Sequence, residues 1–170
     1  MRTFSFIALL ASSLLFSSSL AQSITSQNWK THPRVVEIRN MFNDVEKLLS
    51  TRSLKMQVKT VGCGDYSETR TLLTAPDGAA RRYVLDGGSS DSRVITTYTY
   101  DLKGTLRFAY AKGGAVNGAN AEWRQYFGPD GRRFWTDYQW RKQTYTWPDV
   151  LGTRVRDPRA EFGKNLSCTN

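Results

Sequence analysis

One histidine, two cysteines and fifteen carboxylates are the residues from which a catalytic or metal-binding set in this chain would have to be built. His32 precedes Pro33 at the entry to a helical pattern, where an imidazole decorates the helix start more readily than it acts as a base. No Gly-x-Ser-x-Gly elbow, His-Glu-x-x-His or paired-histidine motif is present. Asp65, Glu68, Glu122 and Asp137 could supply the carboxylate pair of a hydrolase from distant strands, yet nothing in their spacing selects two of them. The glycine-rich stretch 113–120 lacks the Gly-Lys-Ser/Thr ending of a phosphate loop, and 86–92 lacks the alternating oxygen ligands of a calcium loop. The expectation is a chain with no catalytic residue, no metal and no cofactor.

Arginines interleaved with aromatics carry more signal. Read with a two-residue period, Leu106, Phe108 and Tyr110 share one face of their strand with Arg107 opposite. Trp123 and Phe127 point inward on the next strand, which leaves Glu122, Arg124 and Tyr126 outward. On the last strand Phe134, Thr136, Tyr138 and Trp140 lie opposite Arg133, Trp135, Asp137 and Arg141. The alternation therefore gathers Arg107, Arg124, Tyr126, Arg133, Trp135 and Arg141 on one outer face. Such a set can stack planar groups while pairing with phosphate or carboxylate; it is also what a solvated antiparallel face uses for cross-strand stabilisation. A bulge on any one strand would split it.

Cys63 and Cys168 are the only cysteines, and their even count without Cys-x-x-Cys spacing predicts one structural bridge in an oxidising compartment. That compartment is implied by the first twenty-one residues. Arg2 supplies a positive start, Phe4 to Leu20 an apolar and serine-rich core, and Ser19-Leu20-Ala21 a cleavage site before Gln22. The expected product is periplasmic or secreted, without a transmembrane segment. Loss of Arg2 with residues 1–21 takes the formal charge from +9 to +8 over the 149 residues 22–170, which read as one domain. An excess of this sign favours anionic partners, and equally serves solubility.

The elements that must position these groups follow from periodicity. Val35, Ile38, Phe42, Val45 and Leu49 recur at steps of three and four, which predicts an amphipathic helix from Pro33 to about Leu49 with Thr31 as its N-cap. From Leu54 the period becomes two, and strands are expected near 54–61, 66–74, 80–86, 93–100, 105–111, 122–128 and 132–146. Their connections are too short for crossover helices, so the sheet must be mostly antiparallel. The remainder, 147–170, has no sustained period and reads as an ordered wrap ending at the disulfide.

Three turns look alike: Ala75-Pro76-Asp77-Gly78, Asp101-Leu102-Lys103-Gly104 and Gly128-Pro129-Asp130-Gly131. Their glycines stand 26 and 27 residues apart, which makes strand, turn and strand a recurring unit. Over 93–141 the last two units resemble the aromatic and glycine hairpin repeats of many bacterial surface proteins, a likeness that carries over no functional residue. The expected fold is α+β: one N-terminal amphipathic helix on a curved, mostly antiparallel β-meander of about seven strands, with one disulfide. The function that fits is an exported non-enzymatic binding domain engaging an anionic envelope polymer, acidic protein or nucleic acid through the arginine and aromatic face. The alternatives are a small apolar-ligand carrier with its pocket between helix and sheet, and a hydrolase.

Overall fold

The computed structural model describes residues 23–140 and 154–165. Helix α1 (Pro33–Ser50) is followed by seven strands, β1 (Lys55–Cys63), β2 (Tyr66–Thr74), β3 (Ala80–Gly88), β4 (Ser92–Tyr100), β5 (Leu106–Ala115), β6 (Asn120–Phe127) and β7 (Arg133–Trp140). A short helix, α2 (Pro158–Gly163), comes after them. The strands form one sheet in chain order, each antiparallel to the next, as short connections require. Among the described residues no helix is long and apolar enough to cross a membrane.

The helix starts at Pro33 as expected, but its cap lies one residue later than Thr31. His32 is the N-cap: its Nδ1 accepts from the Arg34 amide at 3.3 Å, while the Thr31 hydroxyl donates to the Asn28 carbonyl within the preceding turn. Pro33 then occupies the first helical position, where a missing N–H costs nothing. Val35, Ile38 and Val45 are buried; Phe42, expected at the centre of the buried stripe, is only half-buried.

The repeated unit is more regular than its sequence. In each of the three turns the glycine amide donates to the first residue's carbonyl, and Gly78, Gly104 and Gly131 take φ values of 88°, 78° and 70° that a side chain would resist. Three residues beyond each glycine the ladder skips one residue. Arg81, Arg107 and Phe134 are these bulged residues, because Ala80 pairs with Thr74 and Arg82 with Leu73, Leu106 with Tyr100 and Phe108 with Thr99, and Arg133 with Phe127 and Trp135 with Tyr126. The glycine-rich stretch 113–120 contains a fourth turn with the same hydrogen bond. Strands β5 and β6 extend into it, and Asn117-Gly118 closes it with the Gly118 amide on the Ala115 carbonyl at 2.9 Å.

β1 is largely exposed, while the rest of the sheet carries a core on each face, and the larger core lies opposite α1. Leu72, Tyr83, Tyr98, Tyr100, Trp123 and Phe127 belong to it, together with Val155 and Phe162 from the C-terminal segment. That segment is tied down by polar contacts: the Tyr100 hydroxyl donates to the Val155 carbonyl at 2.8 Å, and Arg70 donates to the carbonyls of Glu161 and Lys164 at 2.8 and 2.6 Å. Within the region expected to be aperiodic, Asp157 caps α2 by accepting from the amides of Arg159 and Ala160, with Pro158 at the first helical position. The last strand was expected to reach residue 146; β7 is described to Trp140, and 141–146 lie outside the described residues. So do Cys168 and residues 1–22, and with them the expected bridge and signal segment.

Candidate functional site

Direct neighbours in an antiparallel ladder share a face, so the register assigns the arginine and aromatic residues to sides. Arg82, Thr99, Phe108, Tyr126 and Trp135 form one row across β3 to β7, and Thr97, Tyr110, Arg124 and Asp137 form the next. Both rows lie on the α1 side. Phe108 meets Phe42 of the helix edge-on at 5.7 Å, and Tyr126 lies 5.0 Å from Phe108 and 5.9 Å from Trp29.

This arrangement corrects the expected outer face. The bulge at Arg107 puts Leu106 and Phe108 on opposite sides of the sheet and turns Arg107 towards the helix, where it is 7 % exposed. Tyr126 is buried, Trp135 half-buried and Arg124 half-buried, all beneath or beside α1. Phe134, expected opposite Trp135, is bulged onto the same side and carries Arg34 of the helix 3.8 Å above its ring. Arg133 is exposed, and its pairing with Phe127 sets it on the other side. Arg141 lies outside the described residues. The structure therefore gathers Arg107, Arg124, Tyr126 and Trp135 and leaves Arg133 apart.

Arg107 lines a separate hollow with Glu37 and Met41, whereas Arg124 and Tyr126 line, with the helix, a groove of about 410 Å³. Its floor is Phe108, Tyr110 and Tyr126, and its walls are Trp29, Ile38 and Phe42. Cations stand around it. Arg124 lies 5.2 Å over the Tyr110 ring and is held by Glu122 at 2.6 Å and Asp137 at 3.3 Å. Burial works against its charge, but the hydrogen bond and charge of Glu122, with Tyr110 and Asp137, outweigh burial and raise its pKa. Burial pushes the Tyr126 hydroxyl upward, opposed by the charges of Arg124 and Arg39. Arg39 donates to the Lys30 carbonyl at 3.1 Å, and Lys30 lies 5.7 Å from the Trp29 ring; among the described residues neither has a carboxylate partner.

Periodicity missed Lys30, Arg39, Glu46 and Arg82. A signal existed for three of them. Arg39, Phe42 and Glu46 are spaced three and four apart, so they share one face of α1, and Arg82 stands four residues beyond Gly78 as Phe108 and Trp135 stand beyond Gly104 and Gly131.

Each of the carboxylates considered for hydrolysis has a polar partner. Glu122 and Asp137 share Arg124, Glu68 holds Arg70 at 2.5 Å, and Asp65 accepts from the Ser90 hydroxyl at 3.0 Å. Among the described residues no three of His, Cys, Asp and Glu cluster as metal ligands would. No protein-family model matches the chain, and no curated protein and no solved structure matches it.

Proposed function

We propose that this chain is an exported, non-enzymatic binding domain that takes an anionic ligand with an apolar body in the groove between α1 and the sheet. The observation that carries the reading is the groove's composition: an aromatic floor and walls, with Lys30, Arg39, Arg82 and Arg124 against the single acid Glu46 among its lining residues. Its 410 Å³ lies in the range of about 300–1,000 Å³ typical of small-molecule sites, where apolar surface supplies affinity and a few polar groups fix orientation. An extended polyanion laid across an open face is supported less well, because Arg107 and Tyr126 are buried and Arg133 faces away from them.

The test uses an anionic aromatic probe, anilinonaphthalene sulfonate, whose fluorescence is followed at low and high salt. One-to-one binding that weakens about fivefold or more in Arg124→Gln or Tyr126→Ala, and is unchanged in Arg133→Gln, is the expected result. Equal losses at Arg124 and Arg133, or no binding at low salt, would overturn the groove as the site.

A further inference from the structure

Beneath the groove lies a buried cation that is ion-paired but incompletely hydrogen-bonded among the described residues. Arg82 is 7 % exposed, and its Nε and Nη2 are both shut off from solvent without a hydrogen-bond partner among the described residues. Its Nη2 does lie 2.6 Å from Oε1 of Glu46, but the contact lacks hydrogen-bond alignment, so attraction between the charges is what holds it. Directly across the ladder, Thr99 is fully buried and its Oγ1 also has no hydrogen-bond partner among the described residues. A buried guanidinium is best satisfied by a carboxylate that meets two of its N–H groups side by side. Glu46 falls short of that, since it approaches from the helix on a side chain 47 % exposed to water.

We infer that Glu46 stands in for a ligand carboxylate over Arg82, so that the groove selects amphiphiles ending in a carboxylate. This rests on the groove being the ligand site and names the class of ligand it takes. The carboxylate of Glu46 shows that such a group fits at this spot. The ring of Phe42, 4.9 Å from the Arg82 guanidinium carbon, forms the hinge between the charged end and the aromatic floor. An entering carboxylate displaces Glu46 into solvent, pairs with Nε and Nη2, and leaves its apolar body along Phe42, Phe108 and Tyr126. The exchange swaps one ion pair for another, so the site stays neutral while the better-aligned partner takes the buried charge. A half-exposed glutamate is displaceable in this way because water recovers most of what it loses on leaving.

Two variants and two probes decide it. Dodecanoate and dodecanol, which share a chain and differ in charge, are titrated below their aggregation concentrations into the intact protein by calorimetry. In Glu46→Gln the competitor for Arg82 is removed, and dodecanoate should tighten by about three- to tenfold while dodecanol changes by less than about twofold. In Arg82→Gln dodecanoate should weaken by about tenfold or more, again with dodecanol little changed. An unchanged or weaker affinity of Glu46→Gln for dodecanoate would overturn the inference, and because Glu46 is half-exposed this arm does not depend on Arg82→Gln folding. Equal affinity for the two probes in both wild type and Glu46→Gln would also overturn it, yet leave the groove a binding site. Failure of wild type to bind either probe would overturn the groove reading together with the inference.

Discussion

The guanidinium of Arg107 reaches from the bulge of β5 to the carboxylate of Glu37 on α1 at 2.8 Å, and its Nε donates to the carbonyl of Phe127 on β6 at 3.1 Å. Asp101, at the turn before the bulge, lies 3.5 Å from the same side chain. One bulged residue thus ties a turn, a neighbouring strand and the helix together. The tie depends far more on the buried arginine than on the 61 % exposed glutamate. Arg107→Met should cost about 2–4 kcal/mol in urea unfolding, because it takes the Arg107 donor from the Phe127 carbonyl and the buried cation from beside Asp101. Glu37→Gln should cost under about 1 kcal/mol. Comparable costs at the two positions would mean that the ion pair, and not the buried donor, holds the helix.

Docking of α1 rests on its aliphatic residues. Ile38 is 1 % exposed, and Ile38→Ala should cost about 2–5 kcal/mol. Phe42 lines the groove and is half-buried, so Phe42→Ala should cost less, about 1–3 kcal/mol, while weakening ligand binding. The exposed change Asn43→Ala should stay within about 0.5 kcal/mol. Thermal unfolding of the three variants would rank them, and an Ile38 cost near that of Asn43 would count against a docked helix.

A bridge between Cys63 and Cys168 is expected on the cysteine count and the implied compartment. The C-terminal segment comes close to β1 at Lys59, whose Nζ donates to the carbonyls of Gly163 and Lys164 at 3.3 and 3.2 Å, and so brings the chain to the strand that ends at Cys63. The oxidised protein, denatured without reductant, should show no titratable thiol. Reduction should lower its melting temperature, with about 4–5 kcal/mol as the chain-entropy ceiling for a loop of this length. Two thiols in freshly purified oxidised material would remove the bridge.

Alkaline pH should unfold the protein through the tyrosines of the larger core. Burial pushes Tyr83 up to about 12 from its ordinary value of 10, and pushes Tyr98 and Tyr100 up as well. Between pH 10 and about 12 the unfolded chain loses these protons first, so stability is intact below about pH 10 and falls as pH rises through that window. The Tyr83 hydroxyl is buried without a hydrogen-bond partner among the described residues, so Tyr83→Phe should raise stability at pH 7 by up to about 1 kcal/mol and flatten the alkaline loss. Denaturant unfolding at pH 7 and pH 11 would show it; a destabilised Tyr83→Phe would mean that the hydroxyl is satisfied.

Local patterning determined much of the architecture. The three-and-four spacing from Val35 to Leu49 marked α1, the change to alternation marked the strands, and the recurrent turn glycines marked the hairpins, because each depends on residues close together in the chain. Which side of the sheet each residue meets was decided by the tertiary structure. A bulge adds one residue to one strand and reverses the alternation beyond it, so Leu106 and Phe108, two apart in sequence, face opposite cores. Alternation is likewise blind to what covers each face. Arg124 and Tyr126 share a face as their spacing requires, but only the packing of α1 makes that face a groove, and only the C-terminal segment turns the opposite face into the larger core. Arg82 and Glu46 meet across 35 residues of intervening sequence, and no local period records a contact made by docking a helix on a sheet.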